Sequence, residues 1–119
     1  VRRRADAGRV LGRDPAIRCA ACGHAVTDRA QRFAVNGHAR HAFVNPAGLV
    51  FEIECFRAAP GCRRAGKATG NWTWFPGYAW RLALCARCGE HLGWAYQGEA
   101  GAFFGLIPDR LREDGGPEP

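Results

Sequence analysis

The sequence predicts an all-β domain, and three observations carry that reading. Glycine and proline punctuate the body of the chain about every 8 to 12 residues, and the segments between them alternate apolar and polar residues with a period of two. The third observation is the scarcity of helical periodicity, for which only a turn or two near Asp109 to Arg112 qualifies. At 119 residues with 47% apolar content, the chain has the size of one domain with a modest core.

Residues 1–15 read as a flexible basic arm ending at Pro15, residues 16–108 as the β domain, and residues 109–119, closing on "REDGGPEP", as a disordered tail. The opening "VRRRADAGRV" has no apolar stretch after its charges, and no run approaches the roughly 20 residues of a membrane helix. A cytoplasmic protein without a membrane partner is therefore expected. The net charge of +6 divides into +3 for residues 1–14, +5 for the body and −2 for residues 109–119. Within the body only Arg63, Arg64 and Lys67 form a local cluster, which suits a solvated surface better than a phosphate-binding face.

Within the body, "CAAC" at 19–22 and "CARC" at 85–88 are each followed at once by glycine, Gly23 and Gly89. That spacing lets both thiolates of a pair reach one metal ion, and the glycine permits the twist that turns backbone N–H groups toward sulfur. Cys19, Cys22, Cys85 and Cys88 are thus the expected ligands of one structural Zn²⁺. A site closed by four thiolates leaves no open position for substrate. A disulfide framework and an iron–sulfur cluster are the alternatives; the first suits a secreted chain better. The 62 residues between the pairs mean that the metal would pin distant parts of the fold together.

Between the pairs, "VFEIEC" puts Phe51, Ile53 and Cys55 on one face and Glu52 and Glu54 on the other. Cys55 then reads as a small core residue, while Cys62 has no assigned role. In "AWRLALC", Trp80, Leu82 and Leu84 alternate with Arg81 and Ala83, and in "HLGWAYQ", Leu92, Trp94 and Tyr96 share a face. All four tryptophans, Trp72, Trp74, Trp80 and Trp94, fall within 23 residues, around the turn "FPGY". An aromatic-rich core is one explanation. Turns lie at the surface, however, so indoles projecting from this one toward another indole on a strand describe a box. "NWTWFPGYAW" holds no carboxylate to assist a cation. A flat neutral ring fits better, read by backbone groups that the turn frees.

Catalysis finds little support. The chain has no serine, and neither Cys55 nor Cys62 sits in a nucleophile motif. Of the four histidines, His41 and His91 are the only ones worth carrying as candidates, and no catalytic residue is assigned.

"IRCAACG", "FVNPAGLVFE", "TWFPGYAWRLALCARCGEHLGWAY" and "FFGLI" together resemble the thalidomide-binding domain of the cereblon family, the CULT domain, over residues 17–107. The resemblance implies a tent-like fold of two antiparallel sheets pinned by a four-cysteine zinc. It implies recognition of cyclic imides: glutarimides of the thalidomide type, or succinimide and glutarimide ends on damaged proteins. By the same resemblance Trp74, Trp80 and Trp94 form the imide box, and Tyr96 supplies a fourth wall. The carbonyl of Trp72 accepts the imide N–H, and the backbone N–H of Trp74 donates to a ring carbonyl, with Thr73 between them. Asn45 and Pro46 match a loop near the ligand, and Phe51 a further position beside the pocket. Some relatives carry histidine at position 72, so contacts outside the imide ring should differ here. The chain lacks the other regions of full cereblon, so it looks like the single-domain bacterial relatives, and no ubiquitin-ligase adaptor is expected as a partner. Two other classes remain in view. One is a zinc β domain that binds nucleic-acid ends, a class that overlaps imide binding because uridine-like imide rings would satisfy the same tryptophan box. The other is an enzyme like the methionine sulfoxide reductases, whose late catalytic cysteine has no counterpart after Cys88.

Overall fold

The computed structural model describes residues 15–115. The expected arm up to residue 14 and the last four residues of the expected tail lie outside that range. In chain order the strands are β1 (Ala16–Cys19), β2 (Ala25–Asp28), β3 (Arg40–Val44), β4 (Val50–Phe56), β5 (Cys62–Thr69), β6 (Tyr78–Cys85), β7 (His91–Gly98), β8 (Gly101–Leu106) and β9 (Leu111–Glu113). They form two antiparallel sheets, in the order β2-β1-β9 and β3-β4-β8-β7-β6-β5, and no α-helix occurs among the described residues. No described helix is long and apolar enough to cross a membrane.

The six-stranded sheet buries apolar residues on both faces. On one face Phe56, Ala83, Cys85, Leu92, Ala95, Phe104 and Leu106 meet Ile17, Cys19 and Val26 of the small sheet. On the other, Ile53, Cys55, Phe75, Tyr96 and Phe103 form a second core, against which three of the tryptophans pack. Cys55 is therefore a core residue, as its alternation suggested. Burial on two faces also explains three departures from the simple inward/outward pattern. Glu54, placed by its period on a solvent face, is only 7% exposed because the small sheet covers that side. Arg32 pairs with it at 2.6 Å and reaches on to Glu113 of the small sheet at 2.8 Å. In β6 the covered side is that of Ala83 and Cys85, and Leu82 stays 37% exposed.

The third departure lies in β7. Ala83 pairs with Gly93 and Leu84 with His91, so Leu92 is an extra residue in a β-bulge. The bulge rotates Leu92 into the core with Cys85, away from the face of Trp94 and Tyr96 that a strict period of two gives it. Gly93 makes the bend possible, since a Cβ there would lie 2.1 Å from the carbonyl oxygen of Gly105.

The expectation of a disordered tail from residue 109 is corrected. Pro108–Arg110 form a single 3-10 turn, and β9 then pairs with β1, Ile17 opposite Glu113 and Cys19 opposite Leu111. Leu111 packs on the core below, and Asp114 takes Arg18 at 2.8 Å. The β domain expected to end at residue 108 thus continues to Asp114. A three-residue strand with one apolar side chain displays no period, which is why its sequence reads as tail.

Candidate functional site

Two structural centres stand out, and β7 joins them. At the first, each Cys-x-x-Cys-Gly segment makes a tight turn between strands, β1 to β2 and β6 to β7. Gly23 and Gly89 both have φ +83, and their N–H groups donate to the carbonyls of Cys19 and Cys85 at 2.8 and 2.9 Å. The positive φ is what glycine supplies at no steric cost. The four sulfurs lie within 4.8 Å of one another, with Cys19–Cys88 at 3.7 Å and Cys22–Cys85 at 3.6 Å. A tetrahedron of sulfurs about 2.3 Å from a metal has edges of about 3.8 Å, so the four thiols fit one tetrahedral ion. These cysteines could hold a metal that pins the small sheet to the large one. Cys62 sits across from Cys85 in the β5–β6 pair but is not one of the four. Burial pushes the thiols of both Cys55 and Cys62 up to about 12, which leaves neither as a ready nucleophile.

The second centre grows from the loop between β5 and β6. Phe75, Pro76, Gly77 and Tyr78 form a turn in which the Tyr78 N–H donates to the Phe75 carbonyl at 3.0 Å and Gly77 has φ +91, the pattern of a type II turn. Phe75 anchors it. Its ring, 1% exposed, packs edge-on against Tyr96 at 4.9 Å, Phe103 at 5.1 Å and Phe43 at 5.2 Å. With the turn fixed, Trp74 stacks on Phe43 at 5.0 Å and meets Trp94 edge to face at 4.9 Å. The indole N–H of Trp74 donates to the Val44 carbonyl at 3.2 Å, and that of Trp80 to the Asn71 carbonyl at 2.7 Å. Both rings are thereby held by one edge, and Phe43 covers one face of Trp74.

Asn45, Pro46, Trp72, Trp74, Trp80, Trp94 and Tyr96 line one cleft of about 270 Å³. Trp80 and Tyr96 are cross-strand partners, and Trp94 follows the second cysteine turn on β7. Asn45 shapes its turn through Oδ1, which accepts from the N–H groups of Ala47 and Leu49 at 3.0 and 2.9 Å. None of the lining residues carries a charge. Burial raises the pKa of Tyr96, so it stays a neutral phenol. Among the described residues, neither the Trp72 carbonyl nor the Trp74 N–H has a hydrogen-bond partner. The cleft therefore offers flat aromatic surface, and two of its lining residues carry an unused backbone acceptor and donor.

Two of the sequence candidates stand back from the cleft. Phe51 buttresses it from behind, 5.4 Å from Trp94 and 6.0 Å from Trp74. Thr73 turns its hydroxyl onto the Phe75 backbone, 3.3 Å from both N and O. Sequence reasoning assigned no role to Phe75, Phe43 and Asn71, although they lie within the tryptophan and Asn-Pro segments, and it is these residues that fix the indoles. Neither His41 nor His91 lines the cleft. His41 stacks on Phe43, and His91 donates through Nε2–H to the Gly93 carbonyl at 2.9 Å, its pKa lowered by burial. Arg63 and Arg64 are successive residues of β5, so they point to opposite faces rather than forming one basic patch.

No family model matches the chain. Among curated proteins it is similar to protein cereblon of Gallus gallus, 40% identical over 55 residues that make up 46% of this chain and 12% of that protein. Protein cereblon of Drosophila erecta is 28% identical over 102 residues, 79% of this chain and 17% of that protein. For Drosophila persimilis the figures are 26% over 113 residues, 88% and 18%. The chain spans less than a fifth of the length of these relatives. Together with the all-β fold and its four-cysteine cluster, these matches show that the chain carries a cereblon-like domain.

Proposed function

We propose that the tryptophan cleft binds neutral cyclic imides, as small molecules or as rings at the damaged ends of proteins, and that the domain is a binding module rather than an enzyme. The observation that carries the reading is the cleft itself. Three fixed indoles and Tyr96 surround a space of about 270 Å³, beside a backbone carbonyl and N–H that nothing else among the described residues uses. The imide N–H donates to the Trp72 carbonyl, a ring carbonyl accepts from the Trp74 N–H, and the indole faces exclude water from both. The uncharged lining favours a neutral ligand. A ring of about eight heavy atoms, bounded near −1.5 kcal/mol per atom, can reach micromolar affinity in such a box.

The cysteine cluster holds Zn²⁺ in this reading, as four thiolates at this spacing prefer. Its role is structural: closed by protein ligands, it keeps β7, and so Trp94, in place against β6. Nucleic acid and a ubiquitin-ligase adaptor are not part of the proposal. Titrating glutarimide into the zinc-loaded protein while following tryptophan fluorescence tests it. A saturable change with a micromolar midpoint is expected; a flat response rejects the imide reading.

A further inference from the structure

Trp72 combines three features that packing does not explain. Its backbone is in the left-handed region, φ +61, which costs energy for a bulky residue; Asn36 is the other such non-glycine position described, and asparagine tolerates it. Its side chain is 74% exposed, the most of the large apolar residues described. Trp74, Trp80 and Trp94 are tied down by hydrogen bonds or ring contacts, whereas the Trp72 indole has neither among the described residues. This strained and solvated indole nevertheless lines the cleft together with Asn45 and Pro46.

We infer that Trp72 is a specificity-determining residue, whose indole forms an outer wall that selects imides bearing a flat apolar substituent over the bare ring. The inference rests on the imide reading. With the ring enclosed by Trp74, Trp80 and Trp94, a substituent leaves through the mouth of the cleft, where Trp72 offers an unoccupied π face and no charge competes for it. Stacking there is gained only by ligands that extend beyond the ring. Retaining a strained conformation at a binding site, where the core gains nothing from it, is what selection for ligand contact produces.

Trp72→Gly and Trp72→Asn test this, because both residues accept the left-handed backbone and so keep the loop. Calorimetry compares glutarimide with 3-phenylglutarimide on the wild-type protein and both variants. The wild type is expected to favour the phenyl compound about tenfold, a margin that stacking beyond the ring supplies. In the variants the preference for the phenyl compound should fall at least about fivefold, whatever the change in glutarimide affinity itself, and the Tm should hold or rise. A preference that survives in the variants, an equal loss for both ligands, or a Tm lowered by more than about 5 °C would overturn the inference. If the wild type binds neither compound, the imide reading itself fails; if it binds glutarimide with an unchanged preference in the variants, only the role of Trp72 does.

Discussion

Trp74 and Trp94 meet edge to face with ring centroids 4.9 Å apart and planes at 73°. One indole comes from the loop after β5 and the other from β7, directly after a cysteine turn, so the corner of the box depends on both parts of the chain. Phe43 stacked behind Trp74 and His91 edge-on to Trp94 hold the pair from outside. Trp94→Ala should therefore lower glutarimide affinity by at least about 100-fold while costing about 2 kcal/mol of stability, less than a fully buried tryptophan would. Calorimetric titration alongside a thermal melt separates the two effects. Binding kept within tenfold of the wild type would remove Trp94 from the box.

Metal removal should unfold the domain rather than merely soften it. Structural zinc contributes roughly 10–16 kcal/mol in small peptides, as much as the whole stability of a typical domain. Native mass spectrometry is expected to find one zinc per chain, and chelation should abolish the cooperative melt followed by circular dichroism. An unchanged melt after verified metal loss would mean that the sheets hold without the ion.

Gly93→Ala should destabilise by about 3 kcal/mol or more, because its Cβ would lie 2.1 Å from a backbone oxygen that has no easy retreat. The strain falls between the cysteine cluster and Trp94, so imide affinity should drop as well. Chemical denaturation measures the first effect and fluorescence titration the second. A variant as stable as the wild type would show that the bulge is not needed.

Hydrogen bonds from Arg32, opposed by burial and joined by Arg29, hold the Glu113 carboxyl below the ordinary carboxylate range. A depressed carboxylate contributes stability above its unfolded value near 4.5 and loses it as the pH falls through the folded one. Glu113→Gln should thus cost about 1 kcal/mol at pH 7 and progressively less as the pH falls below about 4.5, as read by melts across that range. Arg32→Ala should cost more, about 2 kcal/mol, because it also leaves the buried Glu54 without its hydrogen-bonding partner, with only Arg40 at 3.9 Å to offset the charge. A pH-independent difference for Glu113→Gln would contradict the pairing.

The fold class and both centres were legible in the sequence because they rest on spacing: two Cys-x-x-Cys-Gly turns, and indoles set around a Pro-Gly bend. What alternation could not display was a sheet with two buried faces. Glu54 reads as solvent-facing until the small sheet is laid over it, and Leu92 changes face through a bulge that only the clash at Gly93 betrays. Strand β5, "CRRAGKAT", has no apolar period because it is an edge strand whose charges discourage further pairing. Phe75 looked like part of the tryptophan cluster's turn, yet it is the buried residue that fixes the turn in place. Trp72 was legible as a residue type but not as a strain, since φ is a property of the folded loop.

The imide edge is best tested by a matched pair of titrations, glutarimide and N-methylglutarimide, by calorimetry on the same zinc-loaded protein. Glutarimide is expected to bind with micromolar affinity, and the methylated ring at least about 100-fold more weakly, because its methyl group meets the Trp72 carbonyl where a donor is required. Equal affinity for the two rings would show that the cleft does not read the imide N–H.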